Sequence, residues 1–276
     1  MTVAVITDST ASLPPDVARA FGITVVPLRI TAGGRDVRDG EISAEELLRN
    51  GPAKVVTSGP TPGDFLEAIA SGTAKDGALI VTVAARFSAT YRSALAAARS
   101  SAVPTKVLDS GTVASAQGLV AVAAAREAAS GADLDAVAKK ASGASEDVRL
   151  MAALDSLDHL ISTGRVPEAA GWLGRRMRVR AVVQLSGGSI HPVRPAFSAE
   201  AAEQRILGHW RRSRPRGEVR LHVAALHTLA RERAERLLDR IAHESDPEIS
   251  FVTEFGAAMV AYTGPGVVGL SWRWER

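Results

Sequence analysis

The chain of 276 residues contains no cysteine. That excludes disulfide scaffolds, thiolate metal sites and cysteine nucleophiles. Aromatic residues make up only 4% of it, a poor supply for a platform that stacks single-stranded bases. No apolar run approaches the roughly 18 residues of a membrane span without polar interruption. Lysine is scarce as well, 5 of 33 basic residues, so arginine carries the positive charge. The two usual devices for cradling a nucleotide's phosphates are missing: there is no G-x-x-x-x-G-K-[ST], and no G-x-G-x-x-G after the first strand. No G-x-S-x-G elbow supports a hydrolase. The opening MTVAVITDST lacks the basic stretch of a signal peptide and reads as a core strand, so a cytoplasmic protein is the expectation.

What is present is a large apolar fraction, 46%, with 23% charged residues. This composition builds sizeable cores and argues against wholesale disorder. Alanine accounts for 49 residues, so much of the apparent patterning is plain helix and core. Residues 1–158 carry 15 basic and 18 acidic groups, and residues 159–276 carry 18 and 12. The basic surplus of the second half predicts a local basic surface. With few aromatics and no helix-turn-helix pattern, the arginine runs make only a weak case for a nucleic-acid-binding protein, and no nucleic-acid partner is expected.

The first half alternates β-like and helical runs. Val3–Thr7, Ile23–Ile30, Lys54–Ser58, Ala78–Ala84 and Thr105–Ser110 read as strands. Helices are predicted after Pro14–Pro15, from the capping-box spacing of Ser43 and Glu46, from Thr61, Pro62 and Asp64, and over 88–99, 113–129 and 134–142. This alternation indicates an α/β lobe whose parallel sheet is covered on both faces. The second half changes grammar. Helical pieces are predicted at Leu157–Ile161 and Pro167–Leu173, and strands at Arg180–Leu185 and Ser189–Val193 meet at a Gly187–Gly188 hairpin. A helix over 198–211, a strand over 218–225, a helix over 230–243, short elements at 248–253 and 257–261, and a closing edge strand at 267–274 with Trp272 and Trp274 complete it. The expected division is an α/β three-layer domain over 1–158 and a smaller mixed α+β domain over 159–276, with a pocket between them.

Two loops stand out as binding candidates. Thr57–Asp64 (TSGPTPGD) and Arg86–Tyr91 (RFSATY) each run from a strand into a helix and offer hydroxyls, Thr57, Ser58 and Ser88, beside helix N–H groups. Such a site suits a carboxylate or phosphate oxygen. Asp8 and Ser9 end the first strand, and Asp109 ends another, where ligands of parallel sheets usually sit. An enzyme acting on a small phosphorylated or carboxylated substrate at that sheet edge is the alternative these carboxylates keep open, with a metal ion between them as its boldest form. Arg165 and Arg194 are candidates for interlobe ion pairs, and Arg175 and Arg176 for anion binding or partner docking. The six histidines read as cap, core-edge or surface residues, with a cleft-facing position open to His222 opposite the apolar face of its strand.

These pieces, in order and spacing over nearly the whole chain, resemble the DegV family of bacterial fatty-acid-binding proteins. The strings are ITDST at 6–10, TSGPTPGDF at 57–65, FSATYRSAL at 87–95, VLDSGTVASAQGL at 107–119, LDSLDHLISTGRV at 154–166 and YTGPGVVGL at 262–270. The resemblance implies a two-domain DegV-like fold, a parallel-sheet three-layer α/β/α lobe plus a smaller mixed α+β lobe. It also implies a bound long-chain fatty acid such as palmitate or oleate, with no other cofactor, no metal and no catalysis by this chain. The buried tail ends in a carboxylate held by loop hydroxyls, which map to Thr57, Ser58 and Ser88. A family histidine ahead of the G-P-G turn corresponds to Tyr262. Beside these, the residue-level candidates for support or partner docking are Asp8, Ser9, Arg165, Arg175, Arg176 and Arg194. In some bacteria a separate ATP-dependent kinase subunit phosphorylates the presented acid. Ala89 stands where the family has glycine, and its Cβ is expected to shift the Ser88 donor or narrow the mouth.

Overall fold

Every residue of β1 (Val3–Asp8) is buried, and its side chains divide by parity. Val3 and Val5 enter one apolar cluster, Ala4 and Ile6 another. A strand buried on both faces needs cover above and below. In the computed structural model, which describes residues 2–49, 55–71, 76–166 and 180–276, that cover is helical. β1 lies in a four-stranded parallel sheet ordered β2 (Ile23–Val26), β1, β6 (Gly77–Thr82), β7 (Thr105–Asp109). α3 (Pro62–Ser71) and α4 (Thr90–Ser100) cover one face through Phe65, Ile69, Ala94 and Ala97. α5 (Ala114–Ala129) and α6 (Leu134–Asp147) cover the other through Leu119, Val120, Val137 and Ala141. α1 (Pro15–Ala20) leads into β2.

Ile23–Ile30, expected as one strand, is two. Pro27 cannot donate to a ladder. Beyond it the chain enters β3 (Arg29–Ala32), which pairs antiparallel with β4 (Arg35–Arg38) and β5 (Val55–Ser58) in a separate three-stranded sheet. The strand ending in Thr57 and Ser58 therefore belongs to this small sheet and not to the parallel one. α2 (Ala44–Arg49) lies between β4 and β5, and the Ser43 hydroxyl accepts the Glu46 N–H at 3.1 Å, as its capping spacing predicts.

The second sheet has six strands, ordered β10 (Ser189–Ala196), β9 (Arg180–Ser186), β8 (Arg149–Leu154), β13 (Val268–Glu275), β11 (Arg220–His227), β12 (Pro247–Glu254). All neighbours are antiparallel except β11 and β12, which α9 (Arg231–Ala242) connects. The β9–β10 hairpin turns at Gly187 and Gly188, with φ of 56° and 69°. Positive φ at both central residues matches the twist of the flanking strands. β8 went unrecognised in the sequence, and it pairs with β9 and β13. By strand pairing the second lobe begins at Arg149, ahead of the expected division at 158/159. The last strand is also not an edge: β13 lies between β8 and β11. Trp272 is buried there, and its Nε1–H donates to Ser213 Oγ at 2.7 Å.

α8 (Ala199–Arg212) and α9 cover the outer face of this sheet through Ile206, Leu207, Trp210, Leu237 and Ile241. Its inner face packs on α5, so α5 is sandwiched between the two sheets. Twelve of its sixteen residues are buried, which its alanine- and valine-rich sequence permits on every side. The short α7 (Asp158–Ser162) and α10 (Ala257–Thr263) sit at the junction of the lobes. The helix expected over Pro167–Leu173 lies outside the described residues. No helix among the described residues is long and apolar enough to cross a membrane.

Candidate ligand-binding site

A cavity of about 410 Å³ lies where the two lobes meet. The first lobe contributes Thr10, the Thr57–Gly59 loop and the Phe87–Ala89 loop. The second contributes apolar side chains of β8 and β9, among them Leu150, Ala152, Leu154, Val183 and Leu185. α10 and its neighbours add Phe255, Met259, Tyr262 and Val267. Among the described lining residues Arg165 is the only charged one. The volume falls within the roughly 300–1,000 Å³ usual for small-molecule sites.

The structure brings Thr57, Ser58, Ser88 and Tyr262 together in this lining. Thr57 and Ser58 end β5, and Ser88 precedes α4. The Ser88 and Thr90 hydroxyl oxygens lie 2.8 Å apart, and the Thr90 N–H donates to Ser88 Oγ at 3.2 Å. Ser88 Oγ is thereby fixed beside the start of a helix. Ala89, expected to disturb this loop, has φ −73° and ψ −3°. That is ordinary right-handed backbone, so its Cβ introduces no strain there. Thr61 does not line the cavity. Its hydroxyl accepts the Asp64 N–H, while Asp64 accepts from Thr61 N–H and Arg29. Partial burial opposes the Asp64 charge, but the Thr61 and Arg29 contacts prevail and hold its carboxyl below the usual range. The start of α3 is thus satisfied internally.

Arg165 lies over the Tyr262 ring, its guanidinium carbon 4.4 Å from the centroid, within cation–π range. Its Nη1–H also donates to the Thr163 carbonyl at 2.5 Å. Burial pushes the Tyr262 phenol up, against the smaller opposing influence of Arg165, so the hydroxyl stays protonated and can donate.

Asp8 and Ser9 act one step back from the lining. The buried Asp8 carboxylate accepts from Val83 N–H at 2.9 Å, from Gln117 Nε2–H at 3.0 Å, and from the backbone and hydroxyl of Thr10. Burial raises its pKa, with these bonds opposing. Ser9 Oγ accepts Leu28 N–H at 3.1 Å and donates to Asp39. Thr10, Leu28 and Val83, which they hold, do line the cavity. Asp109 accepts from Ala85 N–H and Gly111 N–H. Both strand-end aspartates are thus engaged as loop acceptors. Arg194 is exposed on β10 outside the lining, and its carbonyl accepts from Arg205. Arg175 and Arg176 lie outside the described residues.

His222 does not look into the cavity. It is buried in a charge cluster with Arg126, Arg273, Glu248 and Glu275. The ligand atoms of His222, Glu248 and Glu275 come within 4.8 Å of one another. Arg126, Lys140, Arg220 and Arg273 already pair with those carboxylates, so the donor set suits an ion-pair network and not a cation. Thr10, Phe255 and Met259 were missed as lining residues. Thr10 is itself the last residue of ITDST, and only closeness in sequence to the G-P-G turn could have signalled Phe255 and Met259.

A family model described as uncharacterised protein, DegV family, matches residues 2–275. The chain belongs to the DegV family. It is 37% identical to a DegV domain-containing protein of Streptomyces coelicolor, over 97% of each chain. It is 25% identical to a fatty acid-binding protein of Thermotoga maritima, over 98% of this chain and 96% of that one. Among solved structures, a DegV family protein from Thermus thermophilus described by its fatty acid binding superposes with a TM-score of 0.89 at 27% identity, covering 99% of both chains. The two-lobed fold is thus a known family architecture.

Proposed function

We propose that this DegV protein binds one long-chain fatty acid of the palmitate or oleate class. The tail occupies the junction cavity, and Thr57, Ser58 and Ser88 hold the carboxylate. The single observation that carries this reading is an apolar cavity into which two separate loops bring their hydroxyls. The fatty-acid-binding relatives from Thermus thermophilus and Thermotoga maritima support it.

The energetics are sufficient. About 14 methylenes at roughly 0.8 kcal/mol each contribute on the order of 11 kcal/mol gross. Association and ordering remove several kcal/mol, which leaves room for submicromolar affinity. The head group needs donors so that its desolvation does not cancel that gain. Hydroxyls supply them, the Tyr262 phenol takes the place of the family's histidine, and Arg165 supplies the one positive charge among the described lining residues. No covalent step is asked of this chain. The bound acid serves lipid transport, or is presented to a separate ATP-dependent kinase subunit in phospholipid metabolism. The absence of either usual phosphate-cradling motif in the sequence is in keeping with such a division of labour.

Organic extraction of the purified protein followed by mass spectrometry tests the reading. The expected result is a long-chain acid in near-equimolar amount. No copurifying acid, together with no uptake of added palmitate or oleate, overturns it.

A further inference from the structure

We propose that Asp39 is a positioning residue for the cavity, its carboxylate fastening α10 to the lobe that carries the hydroxyl loops. The inference rests on the cavity being the ligand site proposed above.

Asp39 follows β4 and is tied to three segments at once. Its own N–H donates to the Leu28 carbonyl at 2.8 Å. Its Oδ2 accepts from Ser9 Oγ at 2.7 Å, and that same oxygen of Ser9 accepts the Leu28 N–H. Its Oδ1 accepts the Ala258 N–H at 3.2 Å, in the first turn of α10. The N-cap position of α10 is Gly256, which has no side chain to cap the helix, so Asp39 caps it from the other lobe. The approach is close: a Cβ at residue 256 would stand 2.8 Å from Asp39 Oδ1. Gly256 has φ −60°, so glycine is required there for space and not for backbone conformation.

Both ends of this junction reach the cavity. Leu28 lines it on one side, and Met259, Tyr262 and Thr263 of α10 line it on the other. With only seven residues, α10 is too short to hold itself and depends on tertiary anchors. Burial works against the Asp39 charge and pushes its pKa up, while Ser9, Ala258 and Gly40 donate to offset it. A carboxylate kept at such a cost, bridging two walls of one cavity, is placed to hold Tyr262 and Met259 at a fixed distance from Ser88.

The test uses the full chain with Asp39→Ala, Asp39→Asn and Gly256→Ala. Two quantities are read: release of oleate to an albumin sink, and amide hydrogen exchange of α10 compared with α5 in the ligand-free protein. Asp39→Ala is expected to speed oleate release about tenfold or more, with Asp39→Asn intermediate because it keeps one carbonyl acceptor. Gly256→Ala is expected to act in the same direction, and the loss of exchange protection to be confined to α10. Release within about twofold of the parent in both Asp39→Ala and Gly256→Ala overturns the proposal, and so does a rise in exchange that is equal in α5. If Asp39→Ala does not fold, Asp39→Asn and Gly256→Ala decide. If the parent takes up no oleate, the fatty-acid reading fails by itself. Exchange then decides the positioning role: a loss confined to α10 sustains it, and unchanged exchange refutes it.

Discussion

Gly59 rests directly against Thr90: a Cβ at residue 59 would stand 2.6 Å from the Thr90 hydroxyl oxygen and 3.4 Å from its Cα. This contact joins the two hydroxyl-bearing loops, one from the small antiparallel sheet and one from the parallel sheet. Thr90 is also the partner of Ser88, so separating the loops disturbs the head-group donors directly. Gly59→Ala is expected to weaken oleate binding about tenfold while leaving the far cavity wall unchanged. Isothermal titration of both proteins checks it, and unaltered affinity would show that the loops need not touch.

Removing one donor should discriminate between head groups. Ser88→Ala is expected to weaken binding of the free acid by about ten- to a hundredfold, the effect of roughly 1.5–3 kcal/mol for a hydrogen bond to a charged group. Binding of the matched fatty alcohol should change far less. Because the Thr90 N–H loses its acceptor, a stability loss of roughly 1 kcal/mol should accompany it. Equal losses for acid and alcohol would refute the head-group assignment.

Filling the apolar end tests the tail. Ala152 lies on β8 and lines the cavity, so Ala152→Phe places a ring in the proposed tail space. Overpacking should cost about 1–3 kcal/mol of stability, which a thermal melt of the variant reads separately from binding. Binding of long acids should drop sharply, and that of short ones much less. A titration series over chain length reads this, and a uniform effect on all lengths would count against a tail in that space.

Stability should fall in mild acid. Burial, opposed by neighbouring carboxylates, holds both His222 and His227 below the ordinary imidazole value, and His209 is held down in the same direction. At these histidines the unfolded chain binds more protons than the folded one once the pH drops below about 6.5, so their share of the stability is lost from there downward, while the raised carboxyls of Asp8 and Asp39 act in the opposite direction. Glu248 and Glu275 are held below the usual carboxylate range: burial opposes their charge, and the hydrogen bonds and charges of Arg126, His222, Lys140 and Arg273 outweigh it. Their contribution is lost only at more acidic pH. Urea midpoints at neutral and mildly acidic pH should show this slope, and His222→Gln with His227→Gln should flatten it. A parent midpoint that does not move would contradict the assignment.

Much of the site was legible because its chemistry is local. Thr57, Ser58 and Ser88 are marked by strand-to-helix loops rich in hydroxyls, and the helix starts at Ser43 and Thr61 are marked by capping chemistry. Strand pairing was less legible because it is not local. Leu150–Leu154 reads as a mere apolar stretch behind α6 until β13, far along the chain, pairs with it. Likewise Pro27 signals a break, but only the partners of β3 reveal that the chain changes sheets there. The cap on α10 was hidden for the same reason, since Asp39 and Ala258 meet only through tertiary folding.

A crystal structure with ω-bromopalmitate tests the central claim most directly, because anomalous scattering locates the far end of the chain without interpretation. The account predicts one bromine site among Ala152, Leu154, Val183 and Leu185, with the carboxylate within hydrogen-bond distance of Thr57, Ser58 or Ser88. Bromine beside those hydroxyls, or a cavity that stays unoccupied at saturating ligand, would contradict it.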